Sequence, residues 1–253
     1  MEKRGDGGSY CRKGDLRSGE NVKREIQRRQ RVATRVGMIT IGQSPRTDVV
    51  PEVVALVGRP VDVIEVGALD GLSLDEVRQL APGPTDDTLV TRMKDGAEVH
   101  VAKRHIVSRI QACIDRLAPQ VETIVLLCTG RFPEFHSPCP FIEPQELVDR
   151  IVQVVIGSGG KVGLMVPSPA QVEASRRQAD EYGLAATVVA ASPYAGSDEI
   201  RRAAEQLCGT DIKAVVMHCI GYDARMKAEV RRISGKPVIL ARSLVGKILE
   251  EML

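Results

Sequence analysis

Thr-Ile-Val-Leu-Leu-Cys-Thr-Gly at residues 123–130 has a counterpart in Lys-Ala-Val-Val-Met-His-Cys-Ile-Gly at residues 213–221. A second pair is also alike: Val-Gly-Met-Ile-Thr-Ile-Gly-Gln-Ser-Pro at residues 36–45 and Val-Gly-Leu-Met-Val-Pro-Ser-Pro at residues 162–169. Short apolar runs of this kind are typical of buried strands. The repetition therefore predicts two similar halves, each with a thiol just past the end of a strand.

The second half alternates predicted strands with predicted helices, which indicates parallel βαβ units in a sheet covered on both faces. The first half is a similar unit with an inserted hairpin over residues 89–102, where Asp95-Gly96 predicts the turn. We therefore predict an α/β fold of two pseudo-symmetric lobes, each a roughly four-stranded parallel sheet flanked by helices. The predicted strands outside the hairpin are 35–41, 61–66, 123–127, 161–166, 185–190, 213–218 and 237–240. The predicted helices are 48–57, 74–80, 103–117, 145–156, 170–182, 198–208, 223–233 and 242–252.

Three segments follow from this pattern: a disordered basic tail over residues 1–34, a first lobe over 35–143 and a second lobe over 144–240. Residues 241–253 are a candidate last helix of the first lobe. The tail has ten Lys and Arg against five Asp and Glu. It has too few large apolar residues to offset the entropy of ordering. A frayed helix over 20–31, a polyanion-binding role and a start codon placed too early are alternatives for the tail.

Composition excludes several classes of protein. No apolar run approaches the roughly 20 residues that a membrane helix needs. Aromatic residues make up 3% of the 253 residues and Trp is absent, so we expect no stacking on single-stranded nucleic acid. The six cysteines show no CxxC spacing and no export signal precedes them, which predicts reduced thiols in the cytoplasm. The sequence is compatible with assembly into a homodimer.

Ligands of open parallel sheets bind beyond the carboxyl ends of the strands. Loops 42–46, 128–131, 167–169 and 219–222 leave such ends. A helix N-terminus attracts a carboxylate or phosphate and lowers the pKa of a nearby thiol below about 8.5. Cys128 and Cys219 are therefore candidates for an acid/base thiol pair, or for one nucleophile with a helper.

Two inert buried cysteines are the alternative for that pair. Cys113 and Cys208 lie on predicted helices and are expected in the core, Cys11 lies in the tail, and Cys139 is undecided.

Two arginines in the matching loops, Arg46 and Arg131, could clamp a substrate carboxylate with two hydrogen bonds each, or could be solvated loop residues. The other candidates for substrate binding are Ser44, Thr129, Gly130, Ser168, Gly221 and Tyr222.

We expect neither a cofactor nor a metal. Five residues could come together as metal ligands, but their spacing matches no standard zinc pattern. They are Cys128, His136, Cys139, His218 and Cys219. The stretch 157–161 precedes a strand and has the wrong spacing for a phosphate loop, and no GxGxxG follows a strand.

Residues 39–46 (Ile-Thr-Ile-Gly-Gln-Ser-Pro-Arg), Cys128-Thr129 and residues 219–222 (Cys-Ile-Gly-Tyr) resemble the AroM family, within the aspartate/glutamate/hydantoin racemase superfamily. The resemblance covers about residues 35–253. It implies two lobes with the active site between them, and it matches Cys128 and Cys219 to the two catalytic positions of the cofactor-independent racemases. It also matches Ser44 to the first substrate loop. Thr129 replaces the usual Asn, and residues 220–221 replace the usual Thr-His, which weakens the case for an α-amino-acid substrate.

The sequence thus leads to one preferred function and three alternatives. The preferred one is a cofactor-independent racemase-like isomerase that acts on a small carboxylate. A single-cysteine isomerase or decarboxylase, a non-catalytic small-molecule-binding or regulatory protein, and a redox or metal protein are the alternatives. Thiols with an ordinary or raised pKa would favour the binding protein.

Overall fold

Two four-stranded parallel sheets with the same strand order form the core of this protein. The computed structural model describes residues 33–253. Its strands are β1 (Thr34–Thr40), β2 (Val61–Gly67), β3 (Thr88–Arg92), β4 (Glu98–Ala102), β5 (Thr123–Leu127), β6 (Phe141–Ile142), β7 (Lys161–Val166), β8 (Ala185–Ala190), β9 (Ala214–Met217) and β10 (Val238–Leu240). Its helices are α1 (Val50–Val57), α2 (Leu74–Arg78), α3 (Lys103–Leu117), α4 (Pro144–Ile156), α5 (Val172–Glu181), α6 (Ser197–Leu207), α7 (Ala224–Ser234) and α8 (Ala241–Met252).

The first sheet has the order β2-β1-β5-β6, and the second has the corresponding order β8-β7-β9-β10. Within both sheets the strands pair in parallel, whereas β3 and β4 form a separate antiparallel hairpin. The predicted two-lobe α/β fold with a hairpin insertion is therefore confirmed. The predicted tail, its candidate helix and Cys11 lie outside the described residues, apart from Ala33 and from Thr34, which is the first residue of β1.

The register of each sheet brings distant loops together. In the first sheet Thr40 on β1 pairs with Leu127 on β5, so the loop after Thr40 begins beside Cys128. In the second sheet the Met165 carbonyl accepts a hydrogen bond from the His218 N–H, at 2.9 Å, directly before Cys219. Both thiols therefore lie at carboxyl ends of central strands, where an open parallel sheet binds its ligands.

Three apolar clusters hold the layers together. The largest lies between the two sheets and joins both of them to α1, α4, α5 and α8. The other two lie on the outer faces, under the hairpin and α3 in one lobe and under α6 and α7 in the other. Each fully buried Val, Leu or Ile side chain contributes roughly 1.5–3 kcal/mol. The shared central cluster makes the two sheets one packed body.

The last helix of the chain, α8, packs on α1. A Cβ on Gly246 would lie 2.6 Å from the Cβ of Leu56, so only glycine allows this close approach. Residues 241–253 thus cover α1, which follows the first strand. The assignment of the domain boundaries themselves stays a prediction.

Several local expectations differ from the structure. No strand is predicted between residues 127 and 161, yet this stretch contains the short edge strand β6. Helix α1 begins at Val50, two residues later than predicted, and its N-cap residue Val49 has no side chain that could accept a hydrogen bond. Cys208 is exposed, because α6 ends one residue before it, so its expected place in the core is wrong. Within residues 33–253, every helix is too short or too polar to cross a membrane.

Candidate active site

A cavity of about 440 Å³ lies where the carboxyl ends of the two sheets meet. Cys128 and Cys219 both line it, the first from the loop after β5 and the second from the loop after β9. We call residues 128–131 the first cysteine loop and residues 219–222 the second cysteine loop. The two thiols that the sequence repetition singled out therefore lie on the wall of the same cavity.

The two thiols have the same local hydrogen bond. The Gly130 N–H donates to Cys128 Sγ at 3.2 Å, and the Gly221 N–H donates to Cys219 Sγ at 3.3 Å. The Thr129 hydroxyl joins the two loops directly, because it donates to the His218 carbonyl at 3.2 Å. Each sulfur is thus held by its own loop, and the loops are held to each other.

Burial raises the pKa of both thiols. It raises the pKa of Cys128 to about 12, and the nearby Cys219 adds to this shift, while the Gly130 N–H opposes it. Burial also raises the pKa of Cys219, against the Gly221 N–H and the cations Arg46 and Arg242. The expected lowering by a helix N-terminus is not found, because the loss of solvent around Cys219 outweighs the Gly221 N–H and the two nearby cations.

Arg46 lines the cavity but does not present a free fork to it. Its Nε and Nη2 donate to the two Asp48 carboxylate oxygens, each at 2.9 Å. Its Nη1 donates to the Thr40 hydroxyl at 3.0 Å, and Nη2 also donates to the Tyr194 hydroxyl at 3.0 Å. Burial raises the pKa of Asp48, but the bonds from Arg46 outweigh it and hold that pKa below its usual value. The pair is therefore a fixed ion pair.

Arg242 is a functional candidate that sequence reasoning missed. It lies in the first turn of α8 and is 1% exposed. Its Nε and Nη2 donate to the carbonyls of Ile220 and Gly221, each at 2.9 Å, so it fixes the second cysteine loop. Its Nη1 donates to the Asp48 carbonyl at 3.0 Å and to the Glu52 carboxylate at 2.8 Å. No local pattern indicates this role, because its partners lie far away in sequence.

Tyr194 was also missed. It follows β8 in the stretch Ser-Pro-Tyr-Ala-Gly at residues 192–196, and it lines the cavity beside the second cysteine loop. The signal that could have found it is the rule already applied to four other loops, since it too follows the carboxyl end of a parallel strand.

The β3–β4 hairpin of the first lobe reaches across to the second lobe. The Gln171 side chain donates to the Thr88 carbonyl at 2.9 Å, and the Ser192 hydroxyl donates to the Glu98 carboxylate. Thr88 and Gln171 both line the cavity. The insertion therefore forms part of the cavity wall.

Three of the predicted substrate-binding hydroxyls do not line the cavity, since each is bonded within the protein. The Ser44 hydroxyl donates to Asp70 at 2.7 Å, and the Tyr222 hydroxyl donates to the Ala191 carbonyl at 2.6 Å. The Ser168 hydroxyl accepts from the N–H two residues later at 3.3 Å. The other predicted residues do line the cavity: Arg46, Thr129, Gly130, Arg131 and Gly221.

Arg131 contacts α5 across the cavity. Its guanidinium donates to Glu181 at 2.8 Å and to the Tyr182 hydroxyl at 3.1 Å. This ion pair is about half exposed, and exposed pairs of this kind contribute only about 0–1 kcal/mol. Arg131 can therefore exchange its partner for a ligand at little cost, unlike Arg46.

The residues considered for a metal are not gathered into a site. His136 is exposed on the loop before β6, while Cys139 packs beside the outer cluster of the first lobe. Among residues 33–253, no three His, Cys, Asp or Glu side chains are grouped as metal ligands would be. His218 lines the cavity, and burial lowers its pKa, against the opposing effect of Asp149.

Comparison with known proteins supports this description of the fold. The family model described as AroM protein matches residues 36–253. No curated protein sequence matches the chain. The crystal structure of the maleate isomerase Iso from Pseudomonas putida S16 matches with a TM-score of 0.58 and 15% identity, over 87% of this chain and 93% of that one.

Two racemase structures are also similar. Glutamate racemase isoform RacE1 from Bacillus anthracis gives a TM-score of 0.56 and 12% identity, over 87% of this chain and 81% of its own. Picrophilus torridus aspartate racemase gives 0.52 and 14%, over 87% and 94%. At these identities the likeness establishes the racemase-like fold.

Proposed function

The chain belongs to the AroM family, and on that premise we propose that it is a cofactor-independent, racemase-like isomerase acting on a small carboxylate. Proton transfer between Cys128 and Cys219 is the proposed chemistry. One observation carries the proposal: the two thiols occupy equivalent positions after β5 and β9 and share one cavity. The similar structures are named as racemases of glutamate and aspartate and an isomerase of maleate, which are all carboxylates.

The raised pKa values define the working state of the pair. Cys128 is buried and Cys219 is half-buried, and a negative charge on Cys219 further raises the pKa of Cys128. Two neighbouring groups that repel in this way lose their protons in two separate steps. Between those steps the pair holds one thiolate and one thiol, which is the combination of base and acid that proton transfer needs.

The proposed step conserves atoms and charge. The thiolate takes the proton from the carbon next to the carboxylate, and the C–H electron pair spreads into that carboxylate. The other thiol gives its proton to the opposite face of the same carbon and becomes the thiolate. The product leaves with inverted configuration, and the pair has exchanged its proton and its charge.

Arg46 and Arg242 supply the electrostatic bias. Both cations lower the pKa of Cys219, whereas Arg46 is the cation that lowers the pKa of Cys128. We therefore assign Cys219 as the thiol that ionises first and Cys128 as the thiol that keeps its proton in the working pair. Thr129, Gly130, Arg131 and the other lining residues are proposed to contact the substrate.

Deuterium exchange tests the proposal. The purified protein is incubated in D2O with a panel of amino acids, hydroxy acids and other small carboxylates, and exchange at the α-carbon is followed by NMR. We expect exchange with at least one member of the panel, and in Cys219→Ser, with an unchanged circular dichroism spectrum, loss of the conversion of one stereoisomer into the other. Cys208→Ser is the matched control, because this thiol is exposed and lies outside the cavity.

A Cys219→Ser variant that still interconverts the two stereoisomers at the wild-type rate, or a wild-type protein that exchanges no member of the panel, would contradict the proposal. The second outcome would favour a non-catalytic binding protein with the same cavity. One observation supports that alternative, since the raised thiol pKa values leave both cysteines protonated near neutral pH. A single-cysteine isomerase or decarboxylase is supported by the unequal exposure of the thiols: Cys128 is buried, and Cys219 is only half-buried.

A further inference from the structure

Tyr194 lines the cavity and is held in place from several sides. Its oxygen accepts a hydrogen bond from Arg46 Nη2 at 3.0 Å. Its backbone N–H donates to the Ser192 hydroxyl at 3.1 Å, and its ring lies under the Arg92 guanidinium at 5.5 Å from the ring centre. The hydroxyl therefore has a fixed position and little freedom to turn away.

The hydrogen of this hydroxyl is free to bind a ligand. Because the oxygen already accepts from Arg46, the group acts toward the cavity as a donor. Among residues 33–253, the Tyr194 hydroxyl bonds to Arg46 and donates to no acceptor. Burial raises the pKa of Tyr194, and the neighbouring Cys219 adds to the shift, so the phenol keeps its proton.

The hydroxyl lies against the second cysteine loop. A Cβ on Gly221 would lie 2.7 Å from Tyr194 Oη and 2.7 Å from Pro193 Cγ, so glycine makes room for the ring at this point. The Gly221 N–H itself donates to Cys219 Sγ at 3.3 Å. The free hydroxyl hydrogen and the sulfur are thus neighbours on one wall of the cavity.

We propose that Tyr194 is a substrate-binding residue whose hydroxyl, positioned by Arg46, donates a hydrogen bond to a carboxylate oxygen of the ligand held at Cys219. This inference rests on the proposed function for its catalytic consequence. As the α-proton moves to Cys219, negative charge grows on that carboxylate, and a fixed buried donor strengthens its bond as the charge develops. Tyr194 is the only tyrosine among the described residues that line the cavity, so Cys128 has no phenol of its own there.

Affinity alkylation tests this donor without requiring turnover. Iodoacetate and iodoacetamide both alkylate a thiolate: sulfur attacks the CH2 carbon, the C–I bond breaks and iodide leaves. They differ in that iodoacetate carries a carboxylate. A carboxylate accepts a hydrogen bond roughly twice as strong as a neutral group does. The rate of each reagent at Cys219 is measured by peptide mass spectrometry at about pH 10, where more of the thiol is ionised.

We expect Tyr194→Phe to lower the iodoacetate-to-iodoacetamide rate ratio at Cys219 by about tenfold, and to leave that ratio at Cys128 unchanged. Tyr222→Phe is the matched control, because this buried hydroxyl bonds the Ala191 carbonyl away from the cavity. Its rate ratio should equal that of the wild-type protein.

An equal ratio in Tyr194→Phe and wild type overturns the inference, and so does a Cys219 that neither reagent reaches. The rate of deuterium exchange is measured on the same variants, where loss of one such donor should lower it by roughly 10²–10³-fold. A wild-type protein that shows no deuterium exchange, but whose rate ratio at Cys219 depends on Tyr194, would contradict the proposed isomerase activity and would still support the carboxylate-binding site. The alkylation ratio therefore decides the inference separately from the reaction.

Discussion

The first and second cysteine loops have the same backbone arrangement and different surroundings. Each follows a central parallel strand, and in each the glycine two residues after the cysteine donates to the sulfur. Cys128 is buried to 9% exposure beside apolar side chains of the first lobe. Cys219 is half-buried, and its loop is held by Arg242 and touched by Tyr194.

The difference shows how a repeated fold obtains two unlike groups. The equivalent strands fix where the sulfur atoms lie, whereas the polar neighbours come from elements that have no polar equivalent at the other loop. Arg242 belongs to α8, and Tyr194 belongs to the loop after β8. Both add donors or positive charge near Cys219. We therefore expect Cys219 to ionise before Cys128 and to carry the negative charge once the pair has lost its first proton.

Serine replacement of each thiol should produce the largest effect and should separate the two loops by stereochemistry. Loss of a general acid or base lowers a rate by roughly 10²–10⁴-fold. We expect both Cys128→Ser and Cys219→Ser to lose interconversion of the two stereoisomers by about 10³-fold. Each variant should still exchange the α-proton of one stereoisomer, and the two variants should exchange opposite ones. Chiral chromatography and NMR measure the two quantities.

Retention of exchange for the same stereoisomer in both variants would mean that the thiols do not face opposite sides of the substrate. Loss of all exchange in Cys219→Ser alone would instead indicate a single-cysteine enzyme. Cys113→Ser is a suitable control, because this buried thiol lies on α3 among apolar residues outside the cavity.

Replacement of Arg242 should break the second cysteine loop and spare the first. In Arg242→Met, the Ile220 and Gly221 carbonyls and the Glu52 carboxylate all lose their partner. Removing one partner of a buried ion pair costs about 3–5 kcal/mol of the free energy of unfolding. Because Arg242 also lowers the pKa of Cys219, alkylation of that thiol should require higher pH, while alkylation of Cys128 should not shift.

Urea unfolding gives the first quantity and pH-dependent alkylation gives the second. Arg131→Met provides the comparison, since its exposed pair with Glu181 is expected to contribute about 0–1 kcal/mol. If the two variants lose equal stability, Arg242 does not hold the second cysteine loop as its contacts indicate.

Hydrophobic periodicity predicted most strands and helices to within a few residues, because buried parallel strands are continuously apolar and the helices between them are amphipathic. The short strand β6 was missed, since two residues in a proline-rich stretch have no period. The repetition of Cys128 and Cys219 also predicted that both thiols lie at one cavity, because equivalent strands end at equivalent edges.

Side-chain partners could not be predicted in the same way. The Ser44 hydroxyl is taken by Asp70 and the Tyr222 hydroxyl by Ala191, contacts that depend on how distant loops meet. The Arg242 contacts span the two ends of the chain and leave no pattern in either segment. Position at a strand end thus predicts which loops form a site, and the tertiary structure decides which side chains of those loops stay available.

The glycines of the two cysteine loops offer a sharper comparison. A Cβ on Gly221 would lie 2.7 Å from both Tyr194 Oη and Pro193 Cγ. The Tyr194 ring is held in place by Arg46 and Arg92. A Cβ on Gly130 would lie 2.9 Å from Leu89 Cδ2, the end of a flexible side chain, and 3.1 Å from the edge of the Phe132 ring. Overpacking against rigid groups costs about 1–3 kcal/mol. We expect Gly221→Ala to lower deuterium exchange by about tenfold to 100-fold, and Gly130→Ala to lower it only by about threefold or less.

Both alanine variants keep the backbone N–H that donates to sulfur, so the comparison isolates the displaced neighbour. The iodoacetate-to-iodoacetamide ratio at Cys219 should fall with Gly221→Ala and stay constant with Gly130→Ala. Equal effects of the two substitutions would show that the Tyr194 ring can move aside as easily as Leu89 does.

Alkaline pH should reveal the burial of Cys128 as a smaller effect on stability. In the unfolded chain this thiol ionises near pH 8.5, whereas in the folded protein its pKa is raised to about 12. The folded state keeps a proton that the unfolded state loses. The stabilisation is therefore complete below about pH 8.5. It is lost as the pH rises from there toward the folded-state pKa of about 12, by up to about 1.4 kcal/mol per pH unit. In Cys128→Ala, urea unfolding between about pH 8 and pH 10 should show a shallower loss of stability. The exposed Cys208→Ala should follow the wild-type slope, and a Cys128→Ala slope equal to it would mean that Cys128 ionises as readily in the folded protein as in the unfolded chain.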